Sequence, residues 1–160
     1  VLGQTSLVAG GSFATLNDLR IYGTANIGFA DDGALRIAYA HNRRDGIIEN
    51  IQRDEWLNNR DEHVLRARLL AEPLDRLSLL VTADWAQSRA LCCAWTARSA
   101  APGTPFALLN AAQGITPSPE NLTVAAGAPF FQNMSTWGAS LEVNYEFTGA
   151  TLTAVSGYRY

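Results

Sequence analysis

The sequence predicts an all-β chain, an antiparallel meander of about seven strands forming part of a transmembrane β-barrel. Three observations predict it. Apolar and polar residues alternate with a period of two over segments of about 9–11 residues, the length of a tilted membrane strand. Tight turns and long connections fall on opposite edges of the meander, as in bacterial outer-membrane barrels. Hydrophobic residues make up 48% of the chain and charged residues only 17%, against roughly 25% charged in an ordinary globular domain. Something other than water is therefore expected to face part of it.

The opening strand is expected from Val1 to Gly10. In the second, Leu19, Ile21, Gly23, Ala25, Ile27 and Phe29 share one face, while Asp18, Arg20, Tyr22, Thr24 and Asn26 share the other. The third sets Leu35, Ile37 and Tyr39 against Arg36, Ala38 and Ala40, and the fourth sets Leu65, Ala67 and Leu69 against Arg66 and Arg68. In the fifth, Leu77, Leu79, Val81, Ala83 and Trp85 alternate with Ser78, Leu80, Thr82 and Asp84. The sixth alternates Ala139, Leu141, Val143 and Tyr145 with Ser140, Glu142 and Asn144. Helical spacing would scatter these charges around an axis instead of keeping them on one side.

A closing strand from Ala150 to Tyr160 completes the meander. There Leu152, Ala154 and Tyr158 oppose Thr151, Thr153 and Val155, and neither side is strongly polar. The turns Asp31-Asp32-Gly33, Pro73-Leu74-Asp75 and Phe147-Thr148-Gly149 carry residues that tolerate turn dihedrals. Strand alternation puts all three on one edge and two long connections, roughly Arg43 to His63 and Ser88 to Ser135, on the other. Only a short first loop departs from this asymmetry. Tyr39, Trp85, Tyr145, Phe147, Tyr158 and Tyr160 sit near strand ends, where interfacial aromatic girdles belong; aromatics also end strands in soluble sheets.

No apolar run reaches the roughly 18 residues that a spanning helix needs. A net charge of −3 and a pI near 5.3 argue against a nucleic-acid partner, which would require a basic face. No Lys occurs, so the 12 basic side chains are all Arg, which genomic base composition explains as well as a need for planar donors. The chain begins at Val1 without a charged-then-apolar leader, so an export signal is expected to have been removed or to lie outside this segment. There is no GxSxG elbow, no phosphate loop, no HExxH and no CxxC, and only two His residues. A non-enzyme without cofactor or metal is expected.

Residues Tyr39–Asn50 followed by Leu57–Asp61 resemble an early barrel strand and outer loop of TonB-dependent receptors. Arg66–Pro73, then Leu77–Leu79 and Ala83–Trp85, are similar to the next hairpin of that family, and Ala150–Val155 with Tyr158-Arg159 to a later strand. The resemblance implies a large 22-stranded outer-membrane barrel of a Gram-negative bacterium, with a plug domain and a segment that docks TonB. It also implies uptake of a scarce nutrient such as a ferric siderophore, haem, cobalamin or an oligosaccharide. Its motifs report architecture and name no ligand. About seven strands cannot close a cylinder wide enough for a plug, and open edges would present unpaired backbone groups to lipid. Residues 1–160 are therefore expected to be a partial barrel, with plug and remaining strands elsewhere.

Within that frame Arg20, Arg36, Arg66, Arg68, Asp84, Glu142 and Glu146 face the lumen, where they either hydrogen-bond the plug or solvate a water-filled interior. Trp95, Phe106, Phe130 and Phe131 in the second long loop are candidates for contact with the imported ligand. That loop is uncharged from Ser99 to Pro119 and long enough to be either functional or disordered. His41, Asp45, Asp54, Glu55, Asp61, Glu62 and His63 cluster around the first long loop, but Glu62-His63 lacks a correctly spaced second ligand, so solvated loop charges account for them. Cys92-Cys93 forms a strained vicinal disulfide, captures a soft metal or is incidental; the resemblance extends to the pair loosely. Asn121-Leu122-Thr123 and Asn133-Met134-Ser135 match the glycosylation pattern by chance in such a context. Two other architectures compete: an eight-stranded structural or adhesive outer-membrane barrel, and a soluble β-sandwich binding domain whose apolar faces meet each other.

Overall fold

Strands β1 (Ser6–Ala14), β2 (Asp18–Phe29) and β3 (Gly33–Arg44) open the chain. A computed structural model describes residues 3–29 and 31–160. The chain continues with β4 (Ile48–Asn50), β5 (Glu55–Leu57), β6 (Arg60–Leu74), β7 (Leu77–Ala90), α1 (Pro105–Ala112), β8 (Thr123–Val124), β9 (Gln132–Phe147) and β10 (Ala150–Arg159). Seven strands form one sheet in the order β1-β2-β3-β6-β7-β9-β10, and every neighbouring pair is antiparallel. The expected seven-stranded meander is thus the observed main sheet. β1 and β10 are its edges and, among the described residues, do not pair with each other.

Directly paired residues project to the same side of a sheet, so the register assigns faces without ambiguity. One row runs Ile27, Leu35, Leu69, Val81, Leu141 and another Ala25, Ile37, Ala67, Ala83, Ala139, Tyr158. A third row carries Tyr39, Leu65, Trp85 and Trp137, with Tyr160 hydrogen-bonded to Trp137 through both backbone groups at 2.9 and 3.0 Å. With Leu7 of β1 opposite Ala25, these rows make one apolar face across all seven strands. Many of its inner-strand side chains are open, from 37% (Tyr39) to 47% (Trp137) exposed, while Leu35 and Trp85 are half-buried. Burying a Leu, Ile or Phe is worth about 1.5–3 kcal/mol, so water over this face would forfeit much of what normally stabilises a sheet.

The buried cluster lies elsewhere. Ile48, Leu57, Ala94 and Val124 form it, with Ile47, Leu91 and Phe130 packed against them, and all belong to the long connections. There β4 pairs antiparallel with β5 and parallel with β8, so the two long loops fold together as a platform at one end of the main sheet. The opposite end carries the tight turns, where Gly149 at φ +86 takes a conformation that only glycine adopts freely.

Three expectations are corrected. The opening strand runs to Ala14, past the Gly10-Gly11 pair, because its pairing with β2 continues to Ala14 opposite Asp18; Val1 and Leu2 lie outside the described residues. β3, β6, β7 and β9 reach further toward the loops than the alternation does, to Arg44, Arg60, Ala90 and Gln132. Those extensions carry polar residues on both faces, so pairing persists where period two has vanished. The second long loop is folded, with α1 starting at Thr104, whose Oγ1 accepts from Ala107 N at 3.2 Å, and with Pro105 in its first turn. Thr-Pro at the start and Gly114 beyond the end are helix signals that the sequence did contain.

Candidate functional site

The face opposite the apolar one collects the charges. Arg20, Arg36, Arg66, Arg68, Asp84, Glu142 and Glu146 all fall on it: Arg20 shares a row with Asn42 and Glu62, Arg36 is paired with Arg68, and Arg66 with Asp84. Placing two guanidiniums directly opposite is unfavourable without a counter-charge. Among the described residues, Arg36, Arg66 and Arg68 have no ion pair; Asp84 is held instead by Arg159 at 2.9 Å, a residue the sequence did not single out. Glu142 accepts from Asn144 Nδ2 at 2.8 Å, and Asn144 Oδ1 accepts from Thr153 at 2.7 Å. Glu146 sits at the tight-turn end, beside a hollow of about 470 Å³ that Asp31, Asp32, Glu72 and Asp75 also line.

The loop platform is assembled by asparagines. Asn50, fully buried, accepts from Ala126 N at 3.0 Å and donates to Ala126 O at 3.0 Å, joining the first long loop to the second across 76 residues of sequence. Its Nδ2 also donates to Glu55 Oε1 at 3.0 Å. Asn58 treats Ala94 in the same way, accepting from its N at 2.9 Å and donating to its O at 3.1 Å, and also accepts from Cys93 N. A carboxamide reproduces the donor and acceptor of a peptide group, so each asparagine acts as an extra residue of strand pairing. Cys92 and Cys93, just before Ala94, are bonded to each other, which selects the vicinal disulfide among the readings open from sequence.

Three of the four aromatic candidates meet on this platform. Trp95, Phe106 and Phe130 border an apolar hollow of about 410 Å³ together with Leu109, Ile115 and Val124. That volume and lining are in the range of small-ligand sites. Trp95 is 89% exposed at the rim, whereas Phe130 also packs on the buried cluster. Phe131 lies outside the hollow and is exposed.

The charges expected around the first loop separate. Asp45 accepts from Asn17 Nδ2 at 2.6 Å, Glu55 binds Arg53 as well as Asn50, and Glu62 is on the charged face. His41, Asp61 and His63 belong to β3 and β6, not to the loop, and stand side by side on the apolar face. No protein-family model, curated protein or solved structure matches this chain.

Proposed function

We propose that the chain is part of the wall of an outer-membrane β-barrel, and that the whole barrel is a TonB-dependent receptor importing a scarce nutrient in a Gram-negative bacterium. One observation carries the reading: a seven-strand apolar face over which no layer is packed among the described residues, bounded by aromatics. On β9, Trp137 and Tyr145 stand eight residues apart on that face, about 27 Å along the strand at roughly 3.4 Å per residue. At a tilt of about 40° this spans about 20 Å, close to the apolar band of such barrels. Phe147, stacked edge-on to Tyr145 at 4.7 Å, and Trp137 against Tyr158 at 5.5 Å, fit aromatic girdles at the two membrane interfaces.

In this reading lipid covers the apolar face and the charged face lines the lumen. There the unpaired Arg36, Arg66 and Arg68 await acidic groups of a plug domain or an anionic ligand in passage. The loop platform lies outside the cell, with its Trp95–Phe106–Phe130 hollow meeting the imported molecule, which is a ferric siderophore, haem, cobalamin or oligosaccharide.

The test uses the intact protein in vesicles of brominated phospholipid. Contact with bromine quenches Trp85 and Trp137 if lipid covers the apolar face; unquenched emission from both would reject the membrane reading. Ligand import is tested separately, by loss of uptake on deleting the gene or collapsing the proton gradient.

A further inference from the structure

His41 on β3 and His63 on β6 are direct partners in the register, so the pleat holds both imidazoles on one side, about 5 Å apart at Cβ. Their rings stack with centroids 4.1 Å apart and planes 7° from parallel. Asp61, two residues before His63, projects to the same side. Its Oδ1 stands 2.8 Å from His41 Nε2 and 3.3 Å from His63 Nε2. Two imidazole nitrogens and a carboxylate oxygen therefore converge, all within 4.8 Å of one another. At the far side of the His63 ring, Nδ1 is 2.8 Å from the Tyr39 hydroxyl.

We propose that His41, His63 and Asp61 form a binding site for a divalent transition-metal ion of the Zn²⁺, Cu²⁺ or Ni²⁺ class, at the long-loop end of the apolar face. The donor set selects the class: two imidazoles and one carboxylate suit these borderline ions, whereas Ca²⁺ and Mg²⁺ take oxygen shells. Zn–N bonds of about 2.0–2.1 Å at a tetrahedral angle place two nitrogens about 3.4 Å apart. Because the ring planes lie 7° from parallel and an imidazole binds a metal in its own plane, both rings must turn out of the stack about Cβ–Cγ to aim their Nε2 lone pairs at one ion. When Nε2 binds a metal, the imidazole proton must sit on Nδ1, and on His63 that proton meets the Tyr39 oxygen. Such an outer hydrogen bond is what orients a ligating histidine.

The surroundings leave the carboxylate available. Arg43 and Arg89 are the cross-strand neighbours of Asp61, yet it ion-pairs with neither and turns to the two histidines instead. Side-chain exposures of 17% for His41, 30% for His63 and 44% for Asp61 shelter the cluster against the sheet while leaving an approach for an ion. The site needs only β3 and β6 in register, so it stands whether lipid or another surface covers the apolar face.

The test adds one equivalent of Cu²⁺, and in parallel Zn²⁺, to the purified tag-free protein without reductant, so that Cys92 and Cys93 stay bonded. The Cu²⁺ electron paramagnetic resonance spectrum is expected to carry splitting from two imidazole nitrogens. His41→Gln and His63→Gln are each expected to remove one nitrogen from it and to weaken Zn²⁺ binding by calorimetry at least tenfold. Asp61→Asn keeps both nitrogens while weakening Zn²⁺, and Tyr39→Phe weakens it about tenfold, at the lower end of outer-contact effects. Circular dichroism checks that each variant retains its β signal. Two-nitrogen splitting that survives either histidine variant, or Zn²⁺ affinity unchanged in the correctly folded double variant, overturns the proposal.

Discussion

Arg159 on β10 lies across Gly138 of β9 and donates through Nη2 to both carboxylate oxygens of Asp84 on β7, each at 2.9 Å. The pair skips a strand because the intervening position has no side chain. A Cβ at Gly138 would stand 3.4 Å from the guanidinium carbon, and anything longer would occupy its path. Arg159 is 60% exposed, so the pair contributes modestly. A double-mutant cycle with Asp84→Asn and Arg159→Gln is expected to give a coupling of about 0.5–1 kcal/mol in urea unfolding. In a Gly138→Leu background that coupling should fall to zero; its persistence would show that the glycine is not what lets the arginine through.

Opposite faces of one strand provide a direct comparison. Leu141 is midway between Trp137 and Tyr145 on the apolar face, and Ser140 beside it is on the charged face. In a lipid-facing sheet, Leu141→Arg is expected to cost about 2–4 kcal/mol and to deplete the folded band in heat-modifiability gels. Ser140→Arg should leave that band at wild-type intensity. Equal tolerance at the two positions would contradict lipid over the apolar face.

Removing the Asn50 side chain leaves Ala126 N and O without their partners inside the loop platform. Asn50→Ala is expected to cost about 2–3 kcal/mol of local stability, since unsatisfied buried backbone groups lose roughly 1–3 kcal/mol. Limited proteolysis should then cut between residues 91 and 131 much faster, while the main sheet keeps its circular dichroism. Protease resistance equal to wild type would show that the clamp does not hold the two loops together.

Trp95 and Phe130 border one hollow but play different mechanical parts. Trp95→Ala, at an 89% exposed position, should leave stability within about 0.5 kcal/mol and, on the import proposal, weaken ligand binding about tenfold. Phe130→Ala is expected to loosen the platform itself, because Phe130 packs against the buried cluster that holds it together; Phe131→Ala serves as the neutral neighbour. Ligand affinity unaffected by Trp95→Ala would remove the hollow from the import route.

Much of the main sheet was legible because its signal is local. Leu19 to Phe29 alternates within a single strand, and each tight turn is written in two or three adjacent residues. The seven lumen candidates share a face for the same reason: Arg66, Arg68 and Asp84 needed only their own strand's parity. Legibility ended where strands leave the apolar band, as at Asp61 and His63, which the vanished alternation assigned to a loop. The loop platform was illegible for a related reason, since Asn50 and Asn58 look like ordinary loop residues until the alanine backbones they bind, far along the chain, are brought to them.

The sequence by itself determined that this chain alternates in strands and which side of most of them is apolar, because side-chain direction in a strand depends only on residue parity. Tertiary structure alone decided what lies beside what. Register with β9 turned Leu152, Ala154 and Tyr158 to the apolar face and Arg159 to the charged one, although β10 has no clear polarity of its own. Register of β3 with β6 likewise stacked His41 on His63. Pairing between strands is a relation between distant segments, fixed by the combined fit of backbone hydrogen bonds and side chains, and no single stretch of residues contains it.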